Sequence, residues 1–243
     1  ERARSLRSAM TIGTQQDIAT VAETLGAREI CNVYGQTESY GNCCVTWHHW
    51  PLERRMQVQG PPLPGVRLRI VDPETARELP QGEVGLIEVK GRLTPGYDGT
   101  SSEQNAKAFT ADGFFRTGDL GYLDEDSYLF IVDRKKDIII RGGENIAASE
   151  VEAAIYSHPD VIEACVFGLP DARLGEVPVA VFVAREGSGL GESGLRAHLE
   201  TRIAAFKHPA VFFEEHEHLP RLGTEKVDKR ALKARYLQGW GKP

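Results

Sequence analysis

The chain has 243 residues, 41% of them apolar, and a formal net charge of -6 with acids and bases interspersed. That is enough for a real core in one domain or two, and the absence of a basic block argues against a nucleic-acid partner. No apolar run approaches the roughly 20 residues needed to span a bilayer, and the four cysteines form no spaced framework, which suits a reducing cytosol.

In chain order, residues 15–25 (QQDIATVAETL) place Ile18, Val21, Ala22 and Leu25 at i, i+3, i+4 and i+7. That spacing predicts an amphipathic helix, closed by Gly26. Residues 28–33 (REICNV) read as a short buried strand, and a helix followed by a strand suggests an α/β layer. Cys43 and Cys44 lie close to His48 and His49, but the spacing matches no common zinc pattern, so the cysteines read as buried small apolar residues. Residues 60–65 (GPPLPG) form a stiff loop. Residues 66–71 alternate apolar and charged as a half-buried strand does, 72–82 are a turn and 83–90 another strand. Together they predict a small antiparallel β subdomain.

Residues 114–124 continue into a strand at 128–132, followed by the charged junction Asp133-Arg134-Lys135-Lys136-Asp137. We place the domain boundary there. Beyond it come a strand at 138–140 and a turn at Arg141-Gly142-Gly143. A helix follows, N-capped by Ser149, with Glu150 and Glu152 in its first turn and Val151, Ile155 and Tyr156 facing a core. His158-Pro159 ends it. Strands at 161–168 and 177–183, a helix at 195–203, a strand at 211–213 and a final helix at 229–236 complete a compact α+β unit.

Four segments carry the chemistry: Tyr34-Gly35-Gln36-Thr37-Glu38, Thr117-Gly118-Asp119-Leu120, Asp133 to Asn145 (DRKKDIIIRGGEN) and Leu219 to Lys226 (LPRLGTEK). Any one alone is weak evidence. In this order and at these separations they resemble the adenylate-forming superfamily of acyl-CoA synthetases, luciferases and peptide-synthetase adenylation domains. The resemblance covers essentially the whole chain. The stretch from Gly96 to Asp119 and Glu144-Asn145-Ile146 are most similar to fatty-acyl or aryl CoA ligases.

The resemblance implies an α/β fold with residues 1–133 as the C-terminal part of the large AMP-binding domain, 134–137 as a hinge and 138–243 as a small α+β lid domain. It implies that a carboxylic acid attacks the α-phosphate of ATP to give acyl-AMP, and that the CoA thiol then displaces AMP. ATP/AMP, Mg²⁺ and coenzyme A are the implied cofactors. Tyr34 would stack on adenine. Gly35 would let backbone approach a flat ligand, and Gln36 would line the same nucleotide site. Thr37 would reach the α-phosphate, and Glu38 would hold Mg²⁺, a hard cation wanting oxygen ligands. Asp119 would accept both ribose hydroxyls and Arg134 would reach the ribose. Lys136 would be the hinge residue, and Arg141, Gly142, Gly143 and Glu144 would line the pantetheine tunnel. Lys226 would be the catalytic lysine of adenylation, neutralising charge on the α-phosphate. Read without the resemblance, the same residues are a capped strand-to-loop turn, an ordinary turn aspartate, a solvated charged turn, a plain β-turn and a surface lysine.

Two departures stand out. No Gly- and Ser/Thr-rich phosphate loop precedes Tyr34, so the first part of the large domain is expected to be supplied by a further segment, on the same or a separate chain. Glu225 replaces the glycine usual before the catalytic lysine, which predicts weakened adenylation. An adenylation enzyme loading a carrier-protein thiol and a non-catalytic remnant are the competing expectations, the acid is unnamed, and a homodimer is left open.

Overall fold

The structure, a computed structural model, describes residues 6–223 and 226–240. The chain divides between Lys135 and Lys136 into two compact units.

The first unit begins with β1 (Ser8–Thr11), α1 (Gln15–Glu23) and β2 (Glu29–Tyr34). Thr14 caps α1: its hydroxyl accepts the Asp17 N–H at 3.2 Å, while the Asp17 carboxylate accepts the Thr14 N–H at 2.8 Å. Ile18, Ala22 and Ile30 bury together between helix and strand, whereas Leu25, expected inside, is 45% exposed because the helix ends before it. β2 pairs in parallel with β1 and antiparallel with β3 (Cys44–Val45). A short helix α2 (Leu52–Gln57) follows, in which the buried Arg55 guanidinium donates to the backbone carbonyls of Arg28, Ile30 and Trp50. The remainder is a four-stranded antiparallel sheet of β4 (Arg67–Val71), β5 (Gly85–Lys90), β6 (Phe115–Leu123) and β7 (Leu129–Arg134), with α3 (Ser102–Ala108) between β5 and β6. Ile70, Ile87, Val89 and Leu129 of this sheet bury against Tyr34, Cys43 and Cys44.

The second unit is a five-stranded sheet of β8 (Ile138–Arg141), β9 (Glu144–Ala147), β10 (Val161–Asp171), β11 (Gly175–Ala184) and β12 (Val211–Glu215). β10 and β11 form a long antiparallel pair, and β12 joins β11 in parallel. α4 (Ala148–Tyr156) and α5 (Glu192–Glu200) bury Val151, Ile155, Leu195 and Leu199 on one face. α6 (Lys229–Leu237) buries Leu232 on the other, with Phe167, Leu169 and Leu219. Alternate β10 side chains serve opposite cores, as the period of a strand requires.

One cap differs from expectation. α4 begins at Ala148 after Ala147, with no side-chain cap, so Ser149 lies inside the first turn. The cause is β9: Ala147 still pairs with Ile138, and the strand runs directly into the helix.

Candidate functional site

In the first unit, three of the four segments meet at Asp119. Its carboxylate is buried, the residue being 6% exposed. The Tyr34 hydroxyl and Gln36 Nε2 both donate to Oδ2, at 2.7 and 2.8 Å, and Arg134 Nε lies 3.3 Å from Oδ1. Gln36 Nε2 also donates to the Thr117 carbonyl at 3.0 Å. β2 supplies Tyr34 at its end, β6 supplies Asp119, and β7 places Arg134 directly opposite Asp119. Burial, and then the Asp119 charge, push the Tyr34 hydroxyl well above the ordinary phenol range, so it remains a donor.

Two expectations change in detail. Asp119 is not in a turn: it sits in β6, where Gly118 takes φ 76° and the pairing with β5 shifts register between Arg116 and Leu120. Tyr34 is 8% exposed with its ring in the core, so little ring surface is left for a ligand. Gly35 has an internal reason to be glycine, since a Cβ there would stand 2.1 Å from the Gly41 carbonyl oxygen.

Thr37 and Glu38 follow in a single 3-10 turn, Thr37–Ser39, closed by Ser39, whose hydroxyl exchanges hydrogen bonds with the Gln36 backbone at 3.0 and 3.1 Å. Thr37 is exposed. Glu38 Oε1 accepts the Tyr97 hydroxyl at 2.5 Å, and the Glu38 carbonyl accepts the Thr94 N–H at 2.8 Å. Burial, and then the bond to Glu38, push the Tyr97 hydroxyl up to about 12. Beside this turn lies a cleft of about 310 Å³, whose lining includes Ser39, Tyr40, Asn42, Val66 and Arg92. The Arg92 guanidinium stands 5.2 Å from the Tyr40 ring. Cys43 and Cys44 are buried, and among the described residues no three His, Cys, Asp or Glu side chains gather as a metal site.

In the second unit, Gly142 and Gly143, at φ 59° and 92°, form the two-residue turn between β8 and β9. Positive φ at both central positions is the hairpin geometry that glycine satisfies without strain. Glu144 and both glycines are exposed, and nothing lies within 4 Å of where a Gly143 Cβ would stand. Arg141 is half-buried and donates to the Phe206 carbonyl at 2.9 Å. Lys136, exposed, lies in the 3-10 turn Lys135–Asp137. Lys226 is exposed on a hairpin in which the Leu222 N–H donates to the Lys226 carbonyl at 2.8 Å. Glu225 lies outside the described residues.

Sequence reasoning missed Tyr97 and Glu163. The signal for Tyr97 was slight, a tyrosine after a glycine. The signal for Glu163 was plainer: a lone carboxylate inside an apolar strand, which has to be paired to stay buried.

The AMP-binding enzyme model matches residues 1–97, and the AMP-binding enzyme C-terminal domain model matches residues 150–226. The fatty acid–[acyl-carrier-protein] ligase ScoC of Streptomyces coeruleorubidus is 38% identical over 98% of this chain and 45% of its own length. Among solved structures, ATP-bound MatB from Rhodopseudomonas palustris is 34% identical at TM-score 0.85, over 97% of this chain and 46% of its own. o-Succinylbenzoate CoA synthetase (MenE) from Bacillus subtilis, in complex with the acyl-adenylate intermediate OSB-AMP, is 32% identical at TM-score 0.82, over 94% and 46%. The chain thus spans less than half the length of the relatives it matches. With the two models in this order along one chain, it belongs to the adenylate-forming superfamily of AMP-binding enzymes and corresponds to that superfamily's C-terminal half.

Proposed function

We propose that this chain is the C-terminal half of an AMP-forming acyl-CoA ligase that activates a fatty or aryl acid in the cytosol. A carboxylate oxygen attacks the α-phosphorus of ATP and pyrophosphate leaves. The CoA sulfur then attacks the acyl carbon, its proton passes to solvent, and AMP leaves. The observation that carries this reading is the buried Asp119 carboxylate, held by Tyr34 and Gln36 of one segment and Arg134 of another. A buried carboxylate with an acceptor site left over suits a ribose hydroxyl.

The remaining roles follow from place and chemistry. Thr37 offers its exposed hydroxyl to the α-phosphate. Glu38 fits Mg²⁺, which takes one or two carboxylates together with substrate phosphates; Tyr97 fixes its orientation. When bound, the ion would offset phosphate charge. The cleft beside Tyr40 is read as part of the acyl pocket. Lys136 acts as hinge, Arg141 to Glu144 line the thiol's path, and Lys226 serves adenylation. The rest of the AMP-binding domain, with its phosphate loop, comes from a segment beyond these residues. A carrier-protein thiol is the second reading, favoured by the likeness to ScoC.

The test uses the intact protein with acid, ATP and Mg²⁺, followed by either CoA or a phosphopantetheinylated carrier protein. Acyl-AMP followed by acyl-CoA supports the first reading, and transfer to the carrier alone supports the second. Absence of acyl-AMP together with no measurable ATP or AMP binding rejects both.

A further inference from the structure

We propose that Glu163 is a positioning residue for Lys226, acting through the hairpin that carries the lysine. The proposal rests on reading Lys226 as the adenylation lysine.

Glu163 stands on β10, one step along the same face from Cys165, Phe167 and Leu169. Its side chain is only 5% exposed, and a carboxylate so placed is retained only with donors around it. Among the described residues, its donors come from one short segment. His218 Nδ1 lies 2.6 Å from Oε1, the Leu219 N–H donates to Oε2 at 2.8 Å, and an Arg221 amino group donates to Oε1 at 2.7 Å. Leu219 itself is 2% exposed in the apolar cluster beneath.

Beyond Arg221 the chain doubles back. Arg221 bridges Val227, the Leu222 N–H donates to the Lys226 carbonyl at 2.8 Å, and the Asp228 N–H donates to the Pro220 carbonyl at 2.6 Å. The outgoing strand is fixed too, since the Asp228 side chain caps α6 by accepting the Ala231 N–H at 2.9 Å, and Leu232 is fully buried. Lys226 is therefore an exposed cation one residue from a closed base, and Glu163 fastens the incoming side of that base. A rigid base reduces the conformations from which the ammonium must be delivered to the reacting phosphate. An apolar residue at 163 would serve the core but hold none of the three donors.

The experiment compares wild type, Glu163→Ala, Glu163→Gln and Lys226→Ala in the intact protein. Three readouts are taken: acid-dependent pyrophosphate exchange into ATP, thioester formation from preformed acyl-AMP and CoA, and amide hydrogen exchange across 219–227. We expect Lys226→Ala to lose about 100-fold in adenylation. Glu163→Ala should lose about tenfold there, change thioester formation less than about threefold, and exchange faster at Leu219 to Val227. Glu163→Gln, which keeps the acceptor for Leu219, should retain part of the rate and supplies the comparison if the alanine variant does not fold.

Equal losses in both half-reactions would make Glu163 merely structural, and unchanged exchange or unchanged adenylation in both Glu163 variants would overturn its role outright. If Lys226→Ala leaves adenylation intact, the lysine reading fails and the proposal falls with it. A Lys226→Ala loss beside unaffected Glu163 variants removes the positioning role alone.

Discussion

Asp119 and Arg134 face each other in the register of β6 and β7, and the guanidinium Nε lies 3.3 Å from a carboxylate whose other oxygen already holds Tyr34 and Gln36. A carboxylate offers about four acceptor sites. Three are taken, so one remains on Oδ1, and the expectation that Asp119 accepts both ribose hydroxyls requires the half-exposed Arg134 to swing away.

The first prediction follows. With Arg134 in place, one ribose hydroxyl should matter far more than the other. Titration calorimetry with AMP and its 2′- and 3′-deoxy forms should show one deletion weakening binding by about tenfold, or about 1.4 kcal/mol, and the other by little. Asp119→Asn should weaken AMP by at least about that much. Equal small effects from both deletions, with an unaffected Asp119→Asn, would remove Asp119 from the ribose.

Much of this was legible in the sequence for definable reasons. β2, β4, β5, β10 and β11 carry apolar runs or alternation, and α1, α5 and α6 carry helical spacing, so periodicity alone found them. β1 is four residues of mixed polarity at a sheet edge and gave no period. α3 buries no residue, so only its capping pair, Ser101 with Gln104, marked it. β9 was hidden because its first two residues are exposed and it runs straight into α4. The candidate nucleotide residues were legible as types. Their geometry was not, because the Tyr34–Asp119 contact joins residues 85 apart in sequence.

Tyr97 gives a second prediction. Its hydroxyl holds Glu38, the carboxylate proposed for Mg²⁺, and residues that orient a metal's ligands typically govern affinity by about 10–100-fold. Tyr97→Phe should raise the Mg²⁺ needed for half-maximal ATP binding by about tenfold. ATP affinity without Mg²⁺ should stay close to wild type. An unchanged Mg²⁺ requirement would detach Tyr97 from the site.

Glu163 makes a third, in pH. Burial acts to raise its pKa, but the Leu219 N–H, Arg221 and His218 outweigh burial and hold it below the ordinary value of 4.5. A depressed folded-state pKa contributes stability that is present above the unfolded value and is lost as pH falls through the folded one. Wild type should therefore lose more stability than Glu163→Gln between pH 7 and about pH 3, measured by urea unfolding. Parallel acid limbs for the two proteins would contradict this.

The second unit closes its own cores on both faces of its sheet, with Phe182 at 1% exposure packed with Ile155 and Leu195. A fragment of residues 136–243 should fold cooperatively alone, with coincident circular dichroism and fluorescence transitions. Phe182→Ala should cost it about 3–5 kcal/mol. A fragment without a cooperative transition would show that this core depends on the rest of the chain.

The last prediction concerns Glu225, which stands beside Lys226 where the superfamily usually has glycine. A carboxylate next in sequence is a competitor to the phosphate for the ammonium. Even an exposed pair, at about 0.2–1 kcal/mol, would retard delivery of the lysine by up to several-fold. Glycine at 225 would also restore backbone freedom next to the reacting residue. Thioester formation starts from acyl-AMP, in which the phosphate–carboxylate bond is already made, so it has no need of Lys226 in this role. We therefore expect Glu225→Gly to raise the adenylation rate several-fold while leaving thioester formation from preformed acyl-AMP and CoA unchanged. The two half-reactions are measured separately, by pyrophosphate exchange and by acyl-CoA release. An unaltered exchange rate in Glu225→Gly would show that the carboxylate does not engage the lysine. A gain in both half-reactions would show that the effect is not specific to delivery of the lysine.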